Sequence, residues 1–311
     1  MSLFSYFVSG LTSYAALTLS LFGLSIKFPR AGFFARCLAA YACLIFCASY
    51  GVLASIVLRL VGYGGVSQWA AGRAFQLVMR LSTGSRFEII EGQEHLTTRP
   101  AVFLGNHQTE LDVLLLGTMF PPYCAVTAKK SLKRVPVLGW FMALSGTVFI
   151  DRGNRQTAVT AMDGAAELMR RERQSVFIFP EGTRSYSAEP MLLPFKKGAF
   201  HLAVKAGVDI VPIVAENYSH LLSVRELKFN AGAIRVKVLP PIPTKGLTPA
   251  DVDELTTSTR EKMLAVLTEM YKSRETWQAE QKNTQGEVAA AASSSGGKIA
   301  VPHASSTAVG I

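Results

Sequence analysis

A histidine and an aspartate stand five positions apart, directly after an apolar run, in a pattern that suits acid–base chemistry. His107 and Asp112 belong to NHQTELD (106–112), which follows AVFLG (101–105). If that run is a strand, His107 lies on the loop at its carboxyl end, where open α/β sheets bind ligands. A turn between the two residues would bring the carboxylate to Nδ1–H and leave Nε2 free as a base. The alternative is a surface histidine followed by a carboxylate that offsets a helix dipole, and the spacing alone leaves both interpretations open.

A second polar loop follows another apolar run and has the composition of an anion site. The run 176–179 leads into FPEGTRS (179–185). Gly182 frees backbone N–H groups, Thr183 adds a hydroxyl and Arg184 adds a forked guanidinium, a combination that suits a phosphate or a carboxylate. A tight surface turn with an arginine–glutamate pair explains the same residues, and it is the default interpretation of this loop by itself.

Two further segments and two lysine pairs are weaker signals. An aspartate and an arginine end GTVFIDR (146–152), and VPIV (211–214) is apolar throughout. Taken alone, the first segment predicts a solvated strand end and the second a buried strand. The lysine pairs at 129–130 and 196–197 are compatible with exposed lysines and nothing more.

These segments gain meaning together, because parallel strands would gather them along one edge of a sheet. The chain has no G-x-S-x-G, H-E-x-x-H or G-x4-G-K-[ST] motif, and no cysteine or histidine spacing typical of a metal site. A base without an enzyme nucleophile must activate something else. We therefore expect the histidine to activate a hydroxyl of the substrate.

The elements that position these residues alternate between short β-type runs and helical stretches from about residue 88 onward. Such alternation predicts an α/β domain with a mostly parallel central sheet flanked by helices. The predicted strands cover 101–105, 123–127, 147–150, 176–179, 208–214 and 234–239. The predicted helices cover 111–119, 157–173 and 198–206, and an amphipathic helix from 249 to about 277 closes the domain.

The front of the chain is apolar enough to enter a bilayer. Residues 1–26 and 37–58 contain no charged residue, and a helix crosses a bilayer core with about 20 residues. Pro29 and Gly32 predict a break in the basic connection 27–36 between them. A spanning helical hairpin is favoured over a pair of interfacial helices, and basic residues on either side leave the orientation undecided.

The chain is predicted to have four segments. Residues 1–60 form a membrane anchor of two hydrophobic helices. Residues 61–87 form an interfacial amphipathic helix and a connection. A helix packed on the core fits the pattern at 69–81 nearly as well. Residues 88–277 form the domain that carries the chemistry. Residues 278–311, which include AAAASSSGG, form a disordered low-complexity tail.

Composition narrows the class of partner. Only 17% of the 311 residues are charged and 49% are hydrophobic, which excludes a disordered chain, a collagen and a free coiled coil. The 32 Lys and Arg outnumber the 22 Asp and Glu, and the net charge of +10 favours an anionic partner. Aromatic residues without basic interleaving argue against nucleic acid. The remaining candidates for the anionic partner are a membrane surface and a phosphorylated substrate.

Taken together, the four segments resemble those of the glycerophospholipid acyltransferase superfamily, and within it the 1-acyl-sn-glycerol-3-phosphate acyltransferases. NHQTELD, GTVFIDR, FPEGTRS and VPIV stand in that family's order, with its H-x4-D and E-G-T-R intact, within about residues 88–245. The resemblance implies an acyltransferase domain at 88–277 that moves an acyl group from acyl-CoA to the sn-2 hydroxyl of lysophosphatidic acid. The products would be phosphatidic acid and free CoA.

The same resemblance assigns roles to individual residues. It implies that His107 is the general base and that Asp112 orients it and stabilises its imidazolium, with the substrate hydroxyl in the place of a catalytic serine. It implies that Arg184 holds the substrate phosphate, together with the backbone of Gly182 and Thr183.

Three further assignments and the partners come from the resemblance as well. Lys129, followed by Lys130, would add positive charge to the phosphate site. Glu181 would orient Arg184 or the glycerol backbone, and Pro212 would line the acyl or glycerol pocket. No metal and no bound cofactor are implied, because acyl-CoA is a co-substrate. The partners would be acyl-CoA, lysophosphatidic acid and membrane lipids, with no nucleic acid, in an integral protein of the endoplasmic reticulum membrane.

Two other functions are compatible with these motifs. One is acyl transfer to another acceptor, either glycerol-3-phosphate or a lysophospholipid with a larger headgroup; the short chain and two-helix front favour lysophosphatidic acid over both. The other is a non-catalytic, membrane-anchored lipid-binding protein that keeps the fold. The intact His107 and Asp112 argue against it, because a degenerate member would be expected to lose the base first.

Overall fold

A mixed β-sheet organises the computed structural model, which describes residues 2–294 and, of these, side chains as far as residue 276. The strands are β1 (Ser85–Glu91), β2 (Ala101–Gly105), β3 (Cys124–Lys129), β4 (Val148–Ile150), β5 (Ser175–Ile178), β6 (Asp209–Ala215), β7 (Leu222–Ser223), β8 (Lys228–Phe229) and β9 (Gly232–Val238). Within the described residues, the main sheet has seven strands in the order β1-β9-β6-β2-β5-β3-β4. Only the β6–β9 pair of this sheet is antiparallel. The short strands β7 and β8 pair separately.

The buried strands divide their side chains between two hydrophobic cores, as the two-residue repeat of a strand requires. In β2, Ala101 and Phe103 lie in one core, whereas Val102 and Leu104 lie in the other. β5 and β6 follow the same alternation. Because both faces are covered, these strands are apolar throughout, which is typical of parallel sheets.

Helices cover both faces of the sheet. The α-helices of the described residues are α1 (Leu3–Leu24), α2 (Pro29–Leu60), α3 (Ser67–Thr83), α4 (Asp112–Met119), α5 (Leu138–Leu144), α6 (Arg155–Glu172), α7 (Gly198–Ala206) and α8 (Val252–Ser294). Helices α2, α3 and α4 add side chains to the first core, and α6, α7 and the start of α8 add side chains to the second. This is the predicted α/β class, with a mostly parallel sheet between helical layers.

The predicted strands all occur, with ends shifted by no more than two residues, but the sequence patterns did not indicate β1, the two-residue strands β7 and β8, or α5. In β1 the charged residues Arg86 and Glu88 form an ion pair of 2.6 Å and interrupt the apolar alternation. The strand lies at the edge of the sheet, where one side of the backbone is free of a neighbour and charge is tolerated. Helix α5 has only seven residues, too few to show a helical period.

The break predicted at 27–36 is shorter than expected. Helix α2 begins at Pro29 and runs through Gly32, so the connection to α1 spans only residues 25–28. Proline is favoured in the first turn of a helix because its fixed φ suits that position and its missing N–H is not needed there. Pro29 therefore starts the second helix instead of separating two segments.

The two N-terminal helices are long and apolar enough to cross a membrane, a test that core helices and signal sequences also pass. Helix α1 buries no residue, and the Tyr14 hydroxyl donates to the Leu38 carbonyl of α2 at 2.6 Å. Helix α2 packs Phe33, Cys43 and Cys47 against the first core. The second apolar helix is thus also part of the wall of the globular domain.

Helix α3 extends the predicted 69–81 segment by two residues at each end. Ala71, Phe75 and Met79 are buried, which fits a core-packed helix, whereas Leu77 and Leu81 remain exposed, as an interfacial helix requires. The predicted boundaries at residues 60 and 87 stay predictions, since the described residues on both sides of each boundary belong to one compact unit that ends at residue 268.

Of the described residues, 269–294 belong to a second, small unit. The closing helix was predicted to end near residue 277 and a disordered tail to follow. Helix α8 instead continues to Ser294, through the alanines at 289–292, which have the highest intrinsic helix propensity. Residues 295–311 of the predicted tail lie outside the described residues.

Candidate active site

The carboxyl ends of neighbouring parallel strands bring the predicted segments to one edge of the sheet. The loop after β2 carries His107, the loop after β5 carries Glu181 and Arg184, and the segment after β6 carries Tyr218. Strand β2 lies between β5 and β6, so its loop is flanked by the other two. The sheet topology thereby assembles residues that are far apart in the sequence.

Two backbone hydrogen bonds join the histidine loop to the arginine loop. The Ser185 N–H donates to the His107 carbonyl at 3.0 Å, and the Tyr186 N–H donates to the Gln108 carbonyl at 3.1 Å. The NHQTELD and FPEGTRS segments therefore lie side by side rather than on opposite sides of the molecule.

His107 and Asp112 form a direct hydrogen-bonded pair. His107 Nδ1 lies 2.6 Å from Asp112 Oδ2. Asp112 is the first residue of α4, and the preceding turn folds its carboxylate back towards the histidine. Of the two interpretations of the spacing, the turn is the one found. A carboxylate at Nδ1 favours the tautomer that carries its proton there and leaves Nε2 as an acceptor.

The Asp112 carboxylate is buried, with 1% of the residue exposed, and it is fully hydrogen-bonded. Besides His107, Oδ2 accepts the N–H groups of Gln108 at 2.6 Å and Thr109 at 3.1 Å. The other oxygen, Oδ1, accepts the hydroxyl of Tyr218 at 2.6 Å. These bonds offset the cost of burying the charge and fix the orientation of the carboxylate.

One face of the His107 ring packs against another ring, and one of its two nitrogens is free of a hydrogen-bond partner among the described residues. It stacks on Phe179, with ring centroids 4.2 Å apart and planes 17° apart. About 15% of the side chain is exposed, and Nε2 has no hydrogen-bond partner among the described residues. A substrate hydroxyl that reaches Nε2 could give up its proton there.

Two amide side chains beside the histidine were missed by the sequence interpretation. Asn106 exchanges hydrogen bonds of 2.9 Å with both backbone groups of Ala215 in β6. The Gln108 amide donates to the Glu216 carbonyl at 2.9 Å. These contacts fix the histidine loop to the neighbouring strand. The available signal was a pair of amide residues flanking a histidine at the end of a buried strand.

Glu181 does not orient Arg184, contrary to one of the predicted roles. Its carboxylate is buried and accepts the backbone N–H of His107 at 2.7 Å and of Leu193 at 2.8 Å. Burial raises the pKa of Glu181, and these two hydrogen bonds oppose the rise. Because both oxygens face backbone amides, Glu181 connects the histidine loop to the segment that contains Leu193.

Arg184 has a different carboxylate partner, and the sequence interpretation missed it. Its Nη1 lies 3.0 Å from Oε1 of Glu110, and the Tyr186 hydroxyl donates to the same oxygen at 2.6 Å. Arg184 and Glu110 are both substantially exposed, whereas the Nε atom of Arg184 is buried without a partner in the described part of the chain. Nη1 is the one guanidinium nitrogen with a hydrogen-bond partner among the described residues, so Arg184 keeps the Nη2 donors for a bound anion.

The predicted glycine and threonine of this loop differ in their surroundings. Gly182 adopts a left-handed φ of +69°, and a Cβ there would come within 2.9 Å of the Lys196 side chain, so glycine suits both the backbone and the neighbour. Thr183 is exposed. The loop is thus a tight turn, with a lysine lying across its glycine.

Further positive charge lies near the arginine. Burial and the neighbouring Arg184 guanidinium lower the pKa of Arg152, the last residue of GTVFIDR. Lys129, at the carboxyl end of β3, is exposed, whereas Lys130 forms an ion pair of 3.1 Å with Asp151. Of the two predicted lysines, Lys130 is therefore already paired with a carboxylate.

Pro212 of β6 lines an apolar groove, but no residue of the His107–Asp112 network contributes to that groove. Its other lining residues come from 239–243 and from α8. The predicted role of Pro212 in an acyl or glycerol pocket stays a prediction. Among the residues that the structure describes, no group of three or more His, Cys, Asp or Glu is placed to hold a metal ion.

Comparison with known proteins identifies the fold and the family of the chain. The sequence profile of the acyltransferase family matches residues 89–216, which contain all four motifs. In the crystal structure of the 1-acyl-sn-glycerophosphate (LPA) acyltransferase PlsC from Thermotoga maritima, 96% of that chain aligns with 82% of this one. The TM-score is 0.58 and the sequence identity is 22%. The two proteins share the fold.

Sequence relatives are much closer. The 1-acyl-sn-glycerol-3-phosphate acyltransferase of Saccharomyces cerevisiae is 46% identical over 224 residues, which are 72% of this chain and 74% of the yeast protein. The human 1-acyl-sn-glycerol-3-phosphate acyltransferase beta is 40% identical over 243 residues, covering 78% of this chain and 85% of the human protein. The chain therefore belongs to the 1-acyl-sn-glycerol-3-phosphate acyltransferase family.

Proposed function

We propose that this protein transfers an acyl group from acyl-CoA to the sn-2 hydroxyl of lysophosphatidic acid, giving phosphatidic acid and free CoA. The observation that carries the proposal is the His107–Asp112 pair, with Nε2 of the histidine unpartnered among the described residues and the Arg184 loop bonded alongside. Relatives named for this reaction, with 40–46% identity to the chain, support it.

His107 acts as the general base. Its Nε2 takes the proton of the sn-2 hydroxyl as the oxygen attacks the thioester carbonyl. The new C–O bond replaces the C–S bond, and the proton passes to the departing thiolate of CoA. Asp112 holds the imidazole and stabilises its charged form. Proton transfer of this kind contributes about 10²–10⁴-fold to a rate, and alignment of the two substrates must supply the rest.

The acceptor is held by its phosphate. Arg184 provides the forked donor, and the backbone of Gly182 and Thr183 forms the turn beside it. Arg152 and Lys129 add positive charge at the same edge of the sheet. A phosphate bound by the Arg184 loop places the glycerol hydroxyls next to the His107 loop, because backbone hydrogen bonds join the two loops.

Helices α1 and α2 anchor the protein in a membrane, which we propose is that of the endoplasmic reticulum. Both are long and apolar enough to span it, and α2 packs directly on the domain core. A site close to the bilayer avoids extraction of acyl chains into water, which costs about 0.8 kcal/mol per CH₂. Acyl-CoA acts as a co-substrate, and no bound cofactor or metal is proposed.

An acceptor panel tests this proposal. Purified full-length protein is incubated with acyl-CoA and, in turn, lysophosphatidic acid, glycerol-3-phosphate and lysophosphatidylcholine, and free CoA and lipid products are measured. We expect phosphatidic acid from lysophosphatidic acid as the fastest reaction. Preferred acylation of either other acceptor would overturn the substrate assignment, and binding of lipid without any transfer would indicate a non-catalytic protein.

A further inference from the structure

Tyr218 occupies a position from which it can act on the catalytic pair without touching substrate. It follows β6, is fully buried, and is among the largest side chains with no exposed surface. Its hydroxyl donates to Oδ1 of Asp112 at 2.6 Å, the oxygen that does not contact His107. The two oxygens of one carboxylate thus connect the tyrosine to the histidine.

The tyrosine hydroxyl is itself oriented by Thr109. The Thr109 N–H and hydroxyl both donate to the Tyr218 oxygen, at 3.2 and 3.1 Å. With two donors on its oxygen, the single proton of the phenol is directed at Asp112. Burial, the Asp112 charge and the hydrogen bond to it raise the pKa of Tyr218 well above its usual value, so the proton stays on the tyrosine.

We propose that Tyr218 is a positioning residue for the acyl transfer, which fixes the Asp112 carboxylate and moderates the negative charge that it presents to His107. The inference rests on the proposed role of His107 as the base. A hydrogen bond donated to one carboxylate oxygen withdraws charge from the other. Without the tyrosine hydroxyl, Asp112 would stabilise the imidazolium more strongly, and His107 would need a higher pH to be neutral.

Other charged groups near the pair stay unchanged when only the hydroxyl is removed. Glu181, from the loop after β5, accepts the His107 N–H, and its charge is felt at both His107 and Asp112. Arg184, from the same loop, lies close enough for its charge to interact with Asp112. Since neither side chain is hydrogen-bonded to Tyr218, a change in pH dependence on loss of the hydroxyl reports on the Tyr218–Asp112 bond.

The test is Tyr218→Phe in the full-length protein. Phenylalanine keeps the buried ring, and the Thr109 N–H retains Asp112 Oδ2 as a second acceptor at 3.1 Å, so we expect the variant to fold. We expect kcat to fall about tenfold with the KM for lysophosphatidic acid within about twofold. We also expect the acid limb of the pH–rate profile to move upward by roughly half a pH unit to one unit.

Phe87→Leu is the matched control. The Phe87 ring packs edge-on against Tyr218, with centroids 5.8 Å apart, so its loss disturbs the same packing and leaves the hydroxyl in place. We expect Phe87→Leu to lower the melting temperature without moving the acid limb. An unchanged pH profile in Tyr218→Phe, or an equal shift in both variants, would overturn the inference.

A second measurement does not depend on turnover. Diethyl pyrocarbonate modifies neutral imidazole, and mass spectrometry of the peptide that contains His107 gives its rate of modification against pH. We expect the same upward shift in Tyr218→Phe and none in Phe87→Leu. If the parent protein transfers no acyl group, the proposed function fails, but this titration still decides whether Tyr218 acts on His107 through Asp112.

Discussion

The proposed catalytic pair, His107 and Asp112, and the proposed anion-binding loop that carries Arg184 lie side by side but are held in opposite ways. Asp112 is 1% exposed and accepts hydrogen bonds from the ring of its histidine, two backbone amides and a tyrosine. Arg184 is 36% exposed on its side chain and is paired with Glu110, which is 49% exposed. The first arrangement is complete before substrate arrives. The second uses a carboxylate that an incoming phosphate can displace, because exposed ion pairs contribute little.

This contrast separates the expected kinetic effects. If the proposed mechanism holds, changes at the buried pair should lower kcat, since the pair then acts on the reacting hydroxyl. Changes at Arg184 should raise KM, since the arginine then acts on a part of the acceptor that does not react. Four single substitutions test this division.

Asp112→Asn should have the largest effect of these variants. An asparagine cannot hold the imidazole in the same tautomer or stabilise its charge, so we expect kcat to fall by about 10²–10⁴-fold, up to the whole contribution of the base, with little change in KM. Initial rates of CoA release measure both constants. Asp163→Asn on α6, where the carboxylate pairs with Lys205 at 2.7 Å, is the control and should retain full activity. A loss of less than tenfold for Asp112→Asn would mean that the aspartate is not part of the relay.

Arg184→Ala should raise the KM for lysophosphatidic acid about 100-fold, the range expected for a lost charge-assisted hydrogen bond, while kcat changes much less. Arg184→Lys should recover part of the loss, because a lysine supplies charge but not the forked geometry. Arg170→Ala, an exposed arginine of α6, serves as the control. A fall in kcat at unchanged KM would show that Arg184 acts on the reacting atoms, and it would contradict the expected separation of kcat effects from KM effects.

Glu181→Gln tests the connection between the two regions. One glutamine atom facing the backbone amides of His107 and Leu193 would be a donor, so one amide loses its acceptor inside the protein. We expect a loss of about 1–3 kcal/mol in the free energy of unfolding, seen as a lower melting temperature. Glu226→Gln, in an exposed pair with Lys228, should leave the melting temperature unchanged. Unchanged stability for Glu181→Gln would show that its hydrogen bonds are not structural.

Glu110→Gln should have the smallest effect of these variants, and it should change the KM for lysophosphatidic acid in the direction opposite to Arg184→Ala. Removing the carboxylate that competes for Arg184 should lower the KM for lysophosphatidic acid by about two- to threefold, in line with the small energy of exposed ion pairs. Glu167→Gln, which disturbs an exposed pair with Arg170, controls for the loss of one negative charge. An increase in KM would show instead that Glu110 holds Arg184 in place for the phosphate.

The sequence predicts the proposed site residues better than the residues that hold them in place. His107, Asp112 and Arg184 follow apolar runs, and strand topology then brings them to one edge, so their position is readable from local pattern. Tyr218 lies far along the chain from Asp112, and nothing in its local sequence indicates a hydrogen bond to a carboxylate.

The partners of the carboxylates were harder to predict for the same reason. The sequence offers Glu181 as the neighbour of Arg184, three positions away, but the loop turns Glu181 inward to the His107 amide and leaves Glu110 as the partner. The edge strand β1 shows the same limit, because its place at the edge of the sheet, where charge is tolerated, is set only by the fold. The break at Pro29 was mispredicted for a local reason, since proline also suits the first turn of a helix.

The most direct test of the account is His107→Gln, assayed for acyl transfer and for binding in the same preparation. Glutamine keeps a polar side chain at the edge of the sheet but cannot act as a base. We expect acyl transfer to fall by about 10²–10⁴-fold, with the Kd for lysophosphatidic acid within about threefold of the parent, because Arg184 and its loop are untouched. Acyl transfer within tenfold of the parent would contradict the proposed mechanism, since a hydroxyl activated by His107 could not then be the reacting group.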